Sequence, residues 1–352
     1  FGKDDLIPLW VADMDFKVAE PIIEAIQKRA EQGIFGYTSR PDSYFQSIQE
    51  WLEKRHGLLA DTNLMLHCPG VVPFLSMMIQ HFTQAGDKII IQSPVYYPFF
   101  DVIKSNGRTL VENPLKLVDG HYEMDYDHLE EVAKQGAKFL ILCSPHNPIG
   151  RVWTKEELLR LGTICLAHGI RVIADEIHAD LVFSGHKHIP FAMLSEEFRK
   201  NTFTCIAPSK TFNLAGLQAS ITIFPNEEDR SKLDRLLGDL DIRRNNCFSV
   251  VATEAAYRYG EEWLEQVKEY IEDMTQSNGI FKASTIFGFV PDSIEAGVDI
   301  LGLIAIQKLV DIMSEQFQNN KLTNLESVTA ELEKLKTLLS SIMTIKNYIE
   351  SM

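Results

Sequence analysis

From about residue 19 to residue 272 the chain alternates two kinds of segment. Short, almost continuously apolar runs recur at 88–92, 137–143, 171–177, 202–206 and 220–224. Runs of that length without polar alternation predict strands buried on both faces. Amphipathic stretches long enough for helices lie at 20–32, 44–56, 72–83, 155–167, 229–237 and 250–271. Thr154 and Glu157 are spaced as a capping box ahead of one of them, and Gly86-Asp87 punctuates the entry to a strand. The alternation predicts an α/β fold, a three-layer arrangement in which helices cover both faces of a mostly parallel sheet.

The polar and aromatic exceptions fall repeatedly where predicted strands end: Pro94-Val95-Tyr96-Tyr97-Pro98, Ser144-Pro145-His146-Asn147-Pro148, Asp175-Glu176-Ile177-His178 and Ser209-Lys210. Ligands of open parallel sheets collect beyond the carboxyl ends of the strands, so these ends predict one shared crevice. Each residue there has a plain reading and a chemical one. Lys210 is either a solvated strand-ending lysine or an amine that forms a Schiff base with an aldehyde. A carboxylate at Asp175 is costly to bury unless it caps a helix or meets a cation such as a protonated pyridine nitrogen. Asn147, held between prolines, is a turn residue or a donor to a phenolic oxygen. Tyr96 belongs to the core or offers a face for a ring to stack on. His178 is a second candidate donor to that oxygen. His178, His186 and His188 have no recognised ligand spacing, so no metal is expected. Pro69-Gly70-Val71-Val72 opens a predicted helix, whose free amides and dipole suit a phosphate.

Taken together, these pieces resemble the fold type I pyridoxal-phosphate enzymes, most closely the MalY/PatB-like cystathionine β-lyase and aminotransferase group. The resemblance runs from residue 6 to about 273. It is carried by Pro8-Leu9-Trp10-Val11-Ala12-Asp13-Met14-Asp15-Phe16, Gly36-Tyr37, Gly70-Val71-Val72, the run from Cys143 to Trp153, the run from Asp175 to Leu181, and the segment around Lys210. It implies pyridoxal 5′-phosphate as cofactor and a small amino acid as substrate. In that pattern Lys210 carries the Schiff base and later acts as general base, and Asp175 holds the pyridinium proton. Asn147 and His178 contact the phenolic oxygen, Tyr96 stacks on the ring, and Gly70, Val71, Val72 and Ser209 cradle the phosphate. Tyr37 reaches the phosphate of a neighbouring subunit, which implies a homodimer. The implied reaction is carbon–sulfur β-elimination from cystathionine or similar cysteine S-conjugates; transamination uses the same machinery and stays open beside it.

Composition narrows the partners. The chain has 352 residues, 45% of them hydrophobic, enough for a substantial core. A net charge of −15 disfavours a nucleic-acid partner, whose binding draws on clustered Lys and Arg. No stretch reaches the roughly 18 apolar residues of a membrane-spanning helix. The five cysteines are odd in number and widely spaced, which suits reduced thiols of a cytoplasmic protein. Beyond 273 the pattern changes. Leu325, Val328, Leu332, Leu335, Leu339, Ile342, Ile345 and Ile349 recur at spacings of three and four, predicting a helical hairpin or short coiled coil with 301–313 as partner. The expected division is thus a cofactor-binding large domain at 1–273 and an atypical helical segment at 274–352 in place of the usual small domain. No arginine follows Arg258, so the bidentate clamp on a substrate carboxylate has no candidate there. Arg243 or Arg244 could replace it, although a surface ion pair is the plainer reading of both. Without that clamp, a cofactor-binding but catalytically silent assembly protein is a third reading.

Overall fold

The computed structural model describes residues 13–277. The calls made on 278–352, including the leucine and isoleucine stripe and its partner helix, lie outside the described residues. The described chain runs through α1 (Glu20–Glu31), α2 (Asp42–His56), β1 (Met65–Cys68), α3 (Val71–Phe82), β2 (Lys88–Ile91), α4 (Pro98–Ser105) and β3 (Thr109–Glu112). A small hairpin, β4 (Lys116–Val118) and β5 (His121–Glu123), precedes α5 (Tyr126–Ala133), β6 (Phe139–Cys143), α6 (Lys155–Ala167) and β7 (Arg171–Asp175). Then come α7 (Glu196–Asn201), β8 (Thr202–Ile206), α8 (Pro208–Thr211), β9 (Ser220–Ile223), α9 (Glu227–Asp239), α10 (Cys247–Tyr259) and α11 (Glu261–Ser277).

Seven strands form the main sheet in the order β1-β9-β8-β7-β6-β2-β3, with β9 antiparallel to both of its neighbours and the remaining strand directions shared. Successive side chains of a strand point to opposite faces. Ile89, Ile91, Phe139, Ile141, Ile173, Phe203 and Cys205 accordingly pack with Leu75 and Ile79 of α3, Phe99 of α4 and Leu233 of α9. Ile90, Leu140, Leu142, Val172 and Ala174 face the other way, against Leu129 of α5 and Leu158 and Leu161 of α6. Ile206 and Ile221 share that second face with Ile22 of α1, Trp51 of α2 and Ala256 of α10. Burial on both faces is why the central strands read as unbroken apolar runs.

Two departures from the sequence pattern have local causes. The stretch predicted as one helix over 250–271 is two, divided at Gly260. The Gly260 amide donates to the Ala256 carbonyl at 2.8 Å, and a Cβ at this position would lie 2.5 Å from both that oxygen and the Phe212 ring. Only glycine lets the chain turn so close to the Phe212 ring. The short strands β1 and β3 escape the pattern because one contains His67 and the other is a half-exposed edge strand. The capping box forms as expected: Thr154 Oγ1 accepts from Glu157 N at 3.2 Å, and Glu157 Oε2 accepts from Thr154 N at 2.7 Å.

Gly162 on α6 lies against Phe198, which stacks on Phe191 with ring centroids 5.2 Å apart. An added methyl would overlap the Phe198 ring, whose position that stacking fixes. Gly162→Ala is expected to lower stability by roughly 1–3 kcal/mol, despite the higher helix propensity of alanine. Denaturant unfolding measures this directly, and a neutral or stabilising result would contradict the packing.

Candidate active site

The register of the sheet brings its carboxyl ends flush. Cys143 of β6 stands opposite Asp175 of β7, and Asp175 stands opposite Cys205 of β8. Because Ile206 pairs with Ile221 and Cys68 with Ser220, the end of β1 reaches the same edge. The segments that follow, Pro69-Gly70, Pro94 to Tyr96, Ser144 to Asn147, Glu176 to His178 and Pro208 to Lys210, therefore leave the sheet side by side. Asp175 shares the face of Ile173, Cys143 and Cys205, the face covered by α3 and α4. The site thus lies at one corner, between that sheet edge and the start of α3.

Asp175 is only 4% exposed, and its Oδ1 accepts from the Ile177 amide at 3.4 Å. Burial pushes its carboxyl up to about 7; Glu176 adds to that, while the Ile177 bond and the charge of Lys210 pull the other way. The Lys210 charge also acts on His178, whose imidazole burial lowers to about 4. The Lys210 charge on α8 is thus felt by both Asp175 and His178. His178 keeps a neutral ring with a buried Nδ1 that has no hydrogen-bond partner. Asn147, half-buried, is held by its backbone: its N–H donates to Cys143 Sγ at 3.3 Å, and that thiol donates to the Pro145 carbonyl at 3.4 Å. His146 ties the same loop to the next one, with Nε2 2.9 Å from the Pro94 carbonyl oxygen, two residues ahead of Tyr96. Gly70 caps α3 without a side-chain hydrogen bond to the first amides of that helix, at Val71 and Val72.

Sequence reasoning had missed three supporting groups. Asn213, at φ 56°, reaches back to the amino-terminal segment: its Oδ1 accepts from Met14 N at 3.0 Å, and its Nδ2 donates to the Met14 and Phe16 carbonyls at 2.7 and 3.2 Å. Glu176, beside Asp175, pairs with His188 and accepts from the Phe191 amide. Asp180, part of the quoted run from Asp175 to Leu181, is buried and bonded to α2 and α8. For Glu176 and Asp180 the available signal was a cluster of polar residues after β7 too dense for an ordinary loop.

Tyr37 is 92% exposed, with the Arg244 guanidinium 4.8 Å above its ring. The two arginines offered for a carboxylate clamp both carry surface ion pairs, Arg243 with Asp234 at 3.0 Å and Arg244 with Asp241 at 2.5 Å. The plainer reading of those residues is the one the structure gives. His188, considered with His178 for a metal, is instead paired to Glu176 Oε2 at 3.1 Å.

A layered α/β sheet whose strand ends bring a lysine, a buried carboxylate and an uncapped helix amino terminus together defines a class of cofactor-dependent enzymes of amino-acid chemistry. The chain belongs to the aminotransferase class I and II family, whose profile matches residues 4–285. It is 46% identical over 273 residues to cystathionine β-lyase PatB of Bacillus subtilis, covering 77% of this chain and 70% of that protein. Protein MalY of Escherichia coli is 35% identical over 277 residues, covering 78% and 70%. Among solved structures, the pyridoxal-phosphate-bound C–S lyase of Staphylococcus hominis superimposes with a TM-score of 0.74 at 35% identity, over 78% of this chain and 69% of that one.

The Asp175 environment makes a prediction that does not depend on activity. With its carboxyl raised from 3.8 to about 7, the folded protein holds a proton that the unfolded chain has released. Stability therefore falls as pH rises through that interval, for as long as no cation is bound beside the carboxylate. Asp175→Asn should flatten this dependence and make the ligand-free protein more stable than wild type at about pH 8, on the order of a few kcal/mol. Denaturant unfolding at about pH 5 and about pH 8 reads the difference; parallel curves for the two proteins would contradict it.

Proposed function

We propose that this chain is a pyridoxal 5′-phosphate-dependent carbon–sulfur β-lyase, acting on cystathionine or similar cysteine S-conjugates to give a thiol, pyruvate and ammonia. The observation that carries the reading is the buried Asp175 carboxyl, at a sheet edge where the register also brings the segments bearing Lys210, His178 and Asn147. The residues present fit the cofactor. A buried carboxylate awaits a cation, the His178 Nδ1 awaits a hydrogen-bond partner, and the first amides of α3 await an anion. Relatives named as cystathionine β-lyases and C–S lyases support the choice of reaction.

When bound, pyridoxal phosphate supplies an electron sink for negative charge developing at the α-carbon of an amino acid. Asp175 would keep a proton on its ring nitrogen, which requires the carboxylate to ionise. A cation alongside provides that by reversing the cost of burial. Asn147 and His178 would stand toward the phenolic oxygen and Tyr96 against the ring face. Gly70, Val71, Val72 and Ser209 would hold the phosphate. Lys210 would carry the cofactor at rest and then, released, take the α-proton as general base. On this reading residues 1–273 form the cofactor-binding domain.

The same proposal includes a homodimer. Ile34, Phe35 and Tyr37 are exposed in one short segment, and Phe35 and Tyr37 lie against Phe248 and Arg244. An apolar stretch of that kind is ordinarily covered. All five cysteines are free and four are buried, which suits a reducing compartment, and we place the protein in the cytoplasm. Among the described residues, no helix is long and apolar enough to cross a membrane.

Purified protein with added pyridoxal phosphate should show a visible absorption band that Lys210→Ala abolishes, and it should release pyruvate from cystathionine. Keto-acid exchange without pyruvate would make the protein an aminotransferase, and a band with neither activity would make it a silent binding protein. Absence of the band refutes the site itself. Separately, Phe35→Asp is expected to shift the protein from dimer to monomer in light scattering; a wild-type protein already monomeric at micromolar concentration would overturn the assembly.

A further inference from the structure

The turn that presents Lys210 is fixed from beneath. Thr211 follows Lys210 on α8 and is 1% exposed, so its hydroxyl points into the protein while the lysine is only half-buried. Thr211 Oγ1 donates to Asp180 Oδ2 at 2.8 Å. Asp180 receives further donors from α2: Trp51 Nε1 reaches its two oxygens at 3.1 and 3.2 Å, and His56 Nε2 lies 2.8 Å from Oδ1. Burial alone would push this carboxyl up, but His56, Thr211 and Trp51 together hold it below its ordinary value, so it serves as a fixed anionic acceptor.

The polar chain continues. The His56 ring meets the His188 ring edge-on with centroids 5.5 Å apart, and His188 Nε2 lies 3.1 Å from Glu176 Oε2. Glu176 directly follows Asp175, and Thr211 directly follows Lys210. Both residues on which the proposed chemistry turns thus have a neighbour anchored in one buried series, Glu176, His188, His56, Asp180 and Thr211. Among the described residues, Tyr257 from α10 is a further titratable group beside Asp180, and its phenol is raised by burial and by the Asp180 charge. Two buried carboxylates and two buried histidines are costly to keep in a core, and packing alone does not require them.

We infer that Asp180 is a positioning residue for Lys210: through Thr211 it sets the direction in which the amine leaves the α8 turn, and through His56, His188 and Glu176 it couples that turn to the strand end presenting Asp175. The inference rests on the assignment of Lys210 as the amine that takes pyridoxal phosphate.

Full-length wild type, Lys210→Ala, Thr211→Val, Thr211→Ser and Asp180→Asn test it, each loaded with pyridoxal phosphate. Thr211→Val keeps the shape of the side chain and removes the donor, whereas Thr211→Ser keeps the donor. Thr211→Val should unfold within a few degrees of wild type and retain the visible band. The pH at which that band changes form should move by about half a unit or more. Its kcat for cystathionine should fall roughly tenfold with KM changed less than about twofold. Thr211→Ser should restore both, and Asp180→Asn, where it folds, should shift the band in the same direction. A Thr211→Val protein whose band titrates with wild type overturns the inference, including the case in which only its unfolding temperature drops. A wild-type protein with no band, or a band that survives Lys210→Ala, overturns the assignment of Lys210 and this inference with it.

Discussion

The cost of placing a carboxylate where water cannot reach it organises this molecule. Asp175 ends a central strand with neighbouring strands on both sides and α3 and α4 over its face, so its charge has no solvent to spread into. Such a group is tolerated when the surroundings pull its titration back by offering a cation. Lys210 contributes part of that pull and the Ile177 amide another part, yet the carboxyl remains near neutrality. A carboxyl in this state would ionise beside a cation, the part proposed for the cofactor's ring nitrogen. On that proposal, stability of the ligand-free protein and affinity for the cofactor would be two readings of one desolvation energy.

The supporting structure divides into layers of differing rigidity. The floor is the sheet, whose register fixes Asp175 between Cys143 and Cys205. Above it, the loop after β6 is held within itself by the Asn147 amide to the Cys143 thiol and tied to the next strand end by the His146 ring to the Pro94 carbonyl. The lysine turn is held on two sides, by Thr211 to Asp180 below and by Asn213 to Met14 and Phe16 beyond. A reactive amine gains from such support, since misplacement by about 1 Å can cost a hundredfold in rate.

Membership of the aminotransferase class I and II family, with relatives named for both lyase and transferase reactions, fits a site built this way. The parts that hold charge on a ring nitrogen and withdraw a proton are common to both outcomes. What separates elimination from transamination is the next move of the proton and the group on the β-carbon. On the proposed assignment the positioning of Lys210 would bear on that choice, because the same amine would take the proton and return it.

The strands β2, β6, β7, β8 and β9 were legible in the sequence because burial on both faces leaves no room for polar alternation, and the polar strand ends Asp175, Asn147 and Lys210 stood out against those runs. Local rules also marked the Thr154–Glu157 capping box. By contrast, the break at Gly260 depends on the Phe212 ring, which arrives from nearly fifty residues away, and no local pattern records it. The pairing of His188 with Glu176, the meeting of Trp51, His56 and Thr211 on Asp180, and the raised titration of Asp175 are likewise products of distance in sequence and closeness in space. Sequence by itself determined which residue types stand at the ends of the strands, since periodicity and residue type are local properties. Tertiary structure alone decided which of them share an environment without water, because desolvation is set by everything packed around a group.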